Sequence, residues 1–482
     1  MNRRRLITFA ATLTVLAGCK AVGPNFAAPA APQTAGFQMQ GDTTPALVVM
    51  TPDARVAGAW WKSLGSADLD AVMDQALAGN QNVAEANASL ARLQEMAVAA
   101  HGAQLPQVDA SGALESERIN LTAFGFTGFP GLNITNPVLG LYNIGGTVSY
   151  DADLFGGLRR STEAARARAE AQGRQADAAY LTLTGQVTMA ALQIAAERAQ
   201  IQAADATVAE DKHILDIVHA AQQAGGEAPS ASVSTTAQLA QDEAVLPPLR
   251  QQLAQSRHAL AALVGQAPGD WTPPDFDLAG FTAPAQIPVS LPSSLVRRRP
   301  DILAADANLH VATAEIGVAT AQLYPDIKIT ANIAQTALSP TSLFSYNATG
   351  WTLAGGISQP LFHGGTLRAN KRAAIDAADA ALARYKGTVV TAFTQVADVM
   401  SALGQDDEEI AALTRAQSAA AAAVRDDETA FKLGGGALLP VLDDERRLQE
   451  ARRALVMHQG KRLADIAQLY VATAADWRET KS

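Results

Sequence analysis

The 482-residue sequence contains one cysteine, Cys19, so an intrachain disulfide is excluded. Aromatic residues make up only 5% of it, too few for the thick globular cores that this length would otherwise suggest. Beyond the first twenty residues, no apolar run free of charge reaches the roughly 20 residues that a membrane-crossing helix needs. Any crossing must therefore be made by strands. Basic charge is in deficit, with 37 Lys and Arg against 47 Asp and Glu, and the formal net charge of -10 argues against nucleic acid as a partner. Histidines are few and scattered: His213 and His219, six apart, fall on different faces of a helix, and no metal-ligand spacing appears. Gly355-Gly356 lacks the following Lys-Ser or Lys-Thr of a phosphate loop. With no catalytic constellation and no metal motif, an enzyme is not expected.

What is present begins with Arg3, Arg4 and Arg5 ahead of an apolar run over 6–17, the layout of an export signal over 1–18. The string Leu16-Ala17-Gly18-Cys19 resembles the lipobox of bacterial lipoproteins, in which the cysteine becomes the acylated first residue. That resemblance implies a covalent lipid on Cys19 as the anchor, with no other cofactor. Lys20 stands where an aspartate would signal inner-membrane retention, which implies the outer membrane.

Two halves of the chain read alike, a duplication to be recognised before single elements are assigned. Leu105-Pro106-Gln107-Val108 and the later Leu154-Phe155-Gly156-Gly157 of the first half match Tyr324-Pro325-Asp326-Ile327 and Leu361-Phe362-His363-Gly364-Gly365 of the second. Each half reads as a helix, two strands, a very long helix and a returning helix. The strands show period-two alternation. Tyr142, Ile144, Gly146, Val148 and Tyr150 alternate with Asn143, Thr147, Ser149 and Asp151. The same holds for Ile327, Ile329 and Ile333 against Lys328, Thr330 and Asn332, for Trp351, Leu353 and Ile357 against Thr352 and Ser358, and for Val108, Ala110 and Leu114 against Asp109, Ser111 and Glu115. Lipid on one face and water on the other would produce this pattern; so would a sheet lying on a soluble core. Four strands cannot close a barrel with a usable lumen, so in lipid several chains must contribute. The stretches 123–141 and 339–350 read as outward loops.

The helices carry a strict seven-residue period instead, the mark of left-handed coiled-coil packing. Tyr180, Val187, Ile194, Ile201, Val208 and Leu215 recur every seventh residue, as do Leu382, Val389, Val396, Leu403 and Ile410. The return helices repeat it through Leu239, Leu246, Leu253 and Leu260, and through Leu448 and Leu455. Their turns fall at Gly225-Gly226-Glu227 and Gly434-Gly435-Gly436, where glycine ends helices readily. The expected segments are 19–104 for the acylated N-terminal stretch and first helices, 105–156 for the first strand pair and 157–265 for the first long hairpin. A connection over 266–300 and a helix over 301–323 follow, then the second strand pair over 324–362, the second hairpin over 363–475 and a tail over 476–482.

Several ordered motifs resemble the outer-membrane efflux lipoproteins of the TolC-like family, in the branch serving RND-type pumps. They are Val22-Gly23-Pro24-Asn25-Phe26, Trp60-Trp61, Asn80, Tyr150-Asp151-Ala152-Asp153-Leu154-Phe155-Gly156, Arg298-Arg299-Pro300-Asp301-Ile302, Leu361-Phe362 and Val441-Leu442-Asp443 with Arg446. The resemblance implies a mixed α and β fold: a homotrimer with a twelve-stranded outer-membrane β-barrel, four strands per chain, continuous with a long periplasmic α-helical coiled-coil barrel. It implies a passive exit duct for drugs or other small solutes, driven by an inner-membrane RND pump through a periplasmic adaptor and seated in outer-membrane lipid. Asp443 matches a family gate aspartate, whereas Pro440 replaces a second one and Ala231 and Ser234 fill the corresponding places in the first hairpin. A single ring of three Asp443 carboxylates is the implied gate; ordinary ion pairing of Asp443 and Asp444 with Arg446 or Arg447 is the competing reading. The glycines and Glu227 at the two turns are the implied adaptor-contact tips, or simply helix breaks. The rival functions are an exit duct for ATP-driven protein secretion and a non-conducting envelope tether.

Overall fold

The computed structural model describes residues 21–474 except 33, 35, 43, 44, 52–57, 119, 121–137 and 434. Cys19, most of the first outward loop and the tail lie outside the described residues. The chain order is β1 (Val48–Thr51), α1 (Ala67–Gly79), α2 (Gln81–Gly102), β2 (Gln107–Arg118), β3 (Val138–Asp151) and α3 (Gly157–Gln223). It continues with α4 (Pro229–Glu243), α5 (Leu246–Val264), β4 (Ile287–Ser290), α6 (Pro292–Leu295), α7 (Pro300–Ala321), β5 (Asp326–Ala337), β6 (Thr349–Ser358), α8 (Thr366–Lys432) and α9 (Leu438–Ala472). The duplication is visible in the elements: α3 and α8 have 67 residues each, about 100 Å of helix at ~1.5 Å per residue.

Two compact units divide the chain. The first, residues 1–29, 90–171 and 305–384, contains a four-stranded antiparallel sheet in the order β2-β3-β5-β6. Its register lines Val108, Val148, Ala331 and Leu353 in one row and Asp109, Thr147, Asn332 and Thr352 in the next. Because successive side chains on a strand point to opposite faces, one face is apolar and the other polar across all four strands. The polar row is bonded laterally, with Asn332 Nδ2 donating to Thr147 Oγ1 at 2.9 Å. The apolar face is open: Val108 is 75% exposed, Leu114 69%, Trp351 76% and Leu353 68%. A sheet lying on a soluble core would hide these side chains, so the reading with a covered apolar face does not hold for the single chain.

The N-terminal segment is strapped to the same unit. Arg160 of α3 donates from Nε to the Val22 carbonyl at 3.2 Å and from Nη2 to Asn25 Oδ1 at 2.8 Å. The Phe26 ring stacks on His310 at 4.4 Å, and His310 Nε2 lies 3.0 Å from Glu163 Oε1. Burial opposes the charge on Glu163, but the bonds from Arg160 and His310 outweigh it and hold the carboxyl below its ordinary range. Gly23 is the hinge of the strap: its φ is +91°, and a Cβ there would sit 2.6 Å from Gly317 Cα.

The second unit, residues 30–89, 172–304 and 385–482, is built around Trp60 and Trp61. Trp60 stacks on Tyr470 at 5.1 Å and donates from Nε1 to Thr184 Oγ1 at 3.3 Å, among Leu64, Leu69, Met73, Val187, Ile194, Met400 and Ile466. Asn80 caps α2 by accepting from Asn82 N and Val83 N, and its Nδ2 donates to the Leu263 carbonyl at 2.8 Å. α7 opens at Pro300 with Asp301 in its first turn, as expected for proline at the first helical position and an acid at the positive end.

The structure departs from the sequence reading in two places. The N-terminal stretch ahead of the first helices and the connection over 266–300, for which no strand is expected from sequence, contribute β1 and β4, a parallel pair joining Val48 to Ile287. A ladder between segments so far apart leaves no local signature. The returning helix of the first hairpin is also two helices, interrupted at Ala244 and Val245, although the sevenfold leucine pattern runs straight through. Pro247 and Pro248 open α5, where their missing N–H groups cost nothing.

Candidate gate and hairpin tips

The seam of each hairpin follows from its period. Val187, Ile194 and Val208 of α3 are buried, as are Val389, Val396 and Leu403 of α8 and Leu448 and Leu455 of α9. Toward the tip, Ile214 and Val218 of α3 form a small cluster with Ala231 of α4, Phe431 of α8 and Leu442 of α9. The tip residues cap helices: Gly225 has φ +77°, and Gly226 N donates to the Ala221 carbonyl at 2.9 Å. Gly435 and Gly436 both donate to the Ala430 carbonyl, at 3.0 and 3.1 Å. These glycines are exposed while Glu227 is half-buried; Gly434 lies outside the described residues.

Asp443 sits on the first turns of α9 with its carboxylate between Arg446 and Arg447, the latter at 2.7 Å, and Arg447 also reaches Asp444 at 3.2 Å. The competing ion-pair reading is thus realised within the chain. Asp443 also lines an open cavity of about 190 Å³ between α3, α4 and α9. The sequence reading missed what else lines it: Glu210 and Asp211 from α3, Asp242 from α4 and Glu445 from α9. Burial, then the contact with Asp242, pushes Asp211 up to about 7; burial, then the charges of Glu210, Glu428 and Asp211, pushes Glu445 up to about 7. Arg453 alone opposes this at Asp211. Asp211 Oδ2 and Glu445 Oε2 are both buried with no hydrogen-bond partner among the described residues.

The signal for these residues was in the heptad. Counting from Val208, the inward position three residues later is Asp211, and the same count places Glu197 after Ile194 and Asp406 after Leu403. Asp406 is fully buried and paired with Lys461, and Arg462 bonds Asp407 at 2.7 Å, so the charged stretch of α8 is locked to α9. Burial and then the bond to Asp406 raise Asp465 beside it to about 6.

A pH dependence follows with a definite sign. Between the ordinary carboxylate range near 4 and about 7, folded Asp211 and Glu445 retain protons that the unfolded chain releases. Their stabilising contribution is therefore complete at low pH and is lost as pH rises through 7. Glu445→Gln, neutral at every pH, is expected to raise the melting temperature by about 1–3 °C at pH 8 and to leave it nearly unchanged at pH 5. An equal shift at both pH values, read by circular dichroism in detergent, counts against this assignment.

The chain is 26% identical over 436 residues to the pyoverdine export outer membrane protein OpmQ of Pseudomonas aeruginosa, covering 89% of this chain and 90% of that one. It is 27% identical to the antibiotic efflux pump outer membrane protein ArpC of Pseudomonas putida, covering 99% and 96%. Its fold matches the outer-membrane channel OprN with a TM-score of 0.83 and 26% identity, over 95% of this chain and 99% of that one. The fold is thus that of trimeric outer-membrane channels, mixed α and β with four barrel strands per chain and long periplasmic helices. A family model described as outer membrane efflux protein matches residues 72–266 and 291–475, the two halves of the duplication. The chain belongs to the outer membrane efflux protein family and is an outer-membrane efflux channel protein.

Proposed function

We propose that three copies of this chain close a twelve-stranded barrel and form the passive exit duct of a tripartite RND-type system, discharging drugs or other small solutes. The observation that carries this reading is the four-stranded sheet with one exposed apolar face, one polar face and, among the described residues, an open edge on both β2 and β6. Open edges and exposed backbone are not tolerated in lipid, and closure by further copies satisfies both. Cys19 would carry the lipid that adds to the anchorage. The tips, with Gly225, Gly226, Gly435 and Gly436 exposed and Glu227 half-buried beside them, would meet the periplasmic adaptor, with Gly434 assigned to the same contact by its place in the sequence. Export of pyoverdine and of antibiotics by the relatives fits small solutes as the cargo.

Asp443 is the gate in this reading, three carboxylates converging on the axis at the narrowest point, where a constriction focuses their field. Removing the carboxylate also releases Arg446 and Arg447 from their in-chain pairing. Asp443→Ala is expected to raise single-channel conductance in planar bilayers several-fold and to sensitise cells to antibiotics that the closed duct excludes. Unchanged conductance in a correctly assembled trimer removes the gate assignment. Absence of any conductance from the assembled protein favours the envelope-tether reading, and loss of a secreted protein with no change in antibiotic sensitivity on deletion favours ATP-driven secretion.

A further inference from the structure

Two carboxyl pairs meet in the cavity between α3, α4 and α9, Asp211 with Asp242 and Glu445 with Glu210. Asp443, on the same wall, is already answered by Arg446 and Arg447, and the guanidinium that acts on Asp211 is that of Arg453. Four carboxyl groups therefore face one inward cation, and Glu428 of α8 adds a further negative charge beside Glu445. Hydrogen bonds do not resolve the excess. Asp242 accepts from Gln238 Nε2 at 2.7 Å, but Asp211 Oδ2 and Glu445 Oε2 are buried without a partner among the described residues. A second observation is independent of charge. Gln449 lines the same cavity and is only 8% exposed, yet its amide has no hydrogen-bond partner among the described residues. A buried amide left unpaired is costly, and it is satisfied when something in the cavity bonds to it. Water answers Gln449 but leaves the carboxyl pairs uncompensated.

The rest of the lining selects the class of ligand. Ile214, Leu439 and Leu442 contribute apolar surface, which a hydrated inorganic ion does not use. Among the described residues no three His, Cys, Asp or Glu side chains come together closely enough to hold a metal ion. A cavity of about 150 Å³ takes a six-carbon ring, so the space here, about 190 Å³, takes a chain of about six non-hydrogen atoms. We infer that the cavity is a binding site for a short linear diamine. One ammonium group lies at the Asp211–Asp242 pair and the other at the Glu445–Glu210 pair, with the methylene chain against Ile214 and Leu442. Gln449 accepts from one end through its amide oxygen. Such a ligand ties α9 of the second hairpin to α3 and α4 of the first, in place of the repulsion that bare carboxylates exert between them.

Binding displaces protons. Burial, ahead of the neighbouring charges, pushes Asp211 and Glu445 up to about 7, whereas alkylammonium groups keep their charge to about pH 10. The diamine is therefore expected to bind at least tenfold more tightly at pH 8 than at pH 5.5, with release of protons. The test is calorimetric titration of 1,4-diaminobutane into the full-length protein in a neutral detergent at both pH values, with butylamine and magnesium chloride as comparisons. One saturable site per chain is expected at pH 8, with butylamine and magnesium each at least tenfold weaker. At a hundredfold excess over its Kd, the diamine is expected to raise the melting temperature by about 2–5 °C. Glu445→Gln, itself stabilising at pH 8, is expected to weaken binding at least tenfold, so lost affinity is separated from lost structure. Gln449→Leu, which leaves every charge in place, is expected to weaken it several-fold. Heats that never saturate, equal affinity for butylamine or magnesium, or affinity that ignores pH overturn the diamine assignment. Undiminished binding in both variants overturns its location.

Discussion

Ile333→Arg is expected to abolish assembly of the channel, whereas Asn332→Arg, one residue away, is expected to leave assembly intact and alter only conduction. The contrast follows from the sheet. Ile333 lies between Gly146 and Trp351 on the apolar face, and Asn332 lies between Thr147 and Thr352 on the polar one. An arginine on the lipid face near the middle of the bilayer costs about 2–4 kcal/mol, and threefold symmetry repeats that cost in every copy, to about 6–12 kcal/mol per trimer. That is comparable with the whole stability of an ordinary domain. On the water-filled side the same guanidinium stays hydrated and adds three positive charges to the lumen, so Asn332→Arg shifts ion selectivity toward anions. Heat-modifiable trimer in outer-membrane fractions measures the first effect and reversal potential in planar bilayers the second. Equal loss of trimer in both variants shows that the two faces have been assigned wrongly.

The sheet was legible in the sequence because a strand between lipid and water has a strict period of two, and a one-residue slip would turn every isoleucine the wrong way. The hairpins were legible for a related reason: a seam between long helices repeats every seven residues, and Val187, Val396 and Leu448 sit where that count puts them. What escaped notice was non-local or exceptional. The β1–β4 pair joins Val48 to Ile287, and no pattern in either short segment announces the other. The carboxylates around the tip cavity escaped because a charge inside a heptad reads as an interruption, although Asp211 and Asp406 stand at inward positions. Their presence has a physical consequence for the hairpin tip. A seam made only of leucines would hold the tip equally at every pH, whereas one containing Asp211 and Glu445 weakens toward neutrality. Asp443 shares their cavity, so the charge state of its neighbours acts directly on its own field.

The Arg-Arg-Pro-Asp-Ile string does more than open α7, and Arg299→Ala is expected to destabilise the second unit by about 2–4 kcal/mol. Arg299 is only 8% exposed, and its guanidinium serves three elements at once. Nη1 donates to the Ala472 carbonyl at the end of α9 at 3.0 Å, Nη2 to Gln395 Oε1 of α8 at 2.6 Å, and Nε and Nη2 hold Asp301 of α7 at 3.0 and 2.8 Å. Truncation leaves the carbonyl of the buried Ala472 without its donor, whereas the exposed Gln395 side chain can turn to water. Asp301 loses less, because its side chain is 41% exposed and can rehydrate. Asp301→Asn is therefore expected to cost well under half as much as Arg299→Ala. Arg299→Lys is expected to recover only a small part of the loss, since one ammonium group cannot reproduce a planar fork aimed at three acceptors. Thermal unfolding in detergent ranks the three variants, and limited proteolysis reports whether the end of α9 is released in Arg299→Ala. Equal melting temperatures for wild type and Arg299→Ala show that the fork ties nothing together.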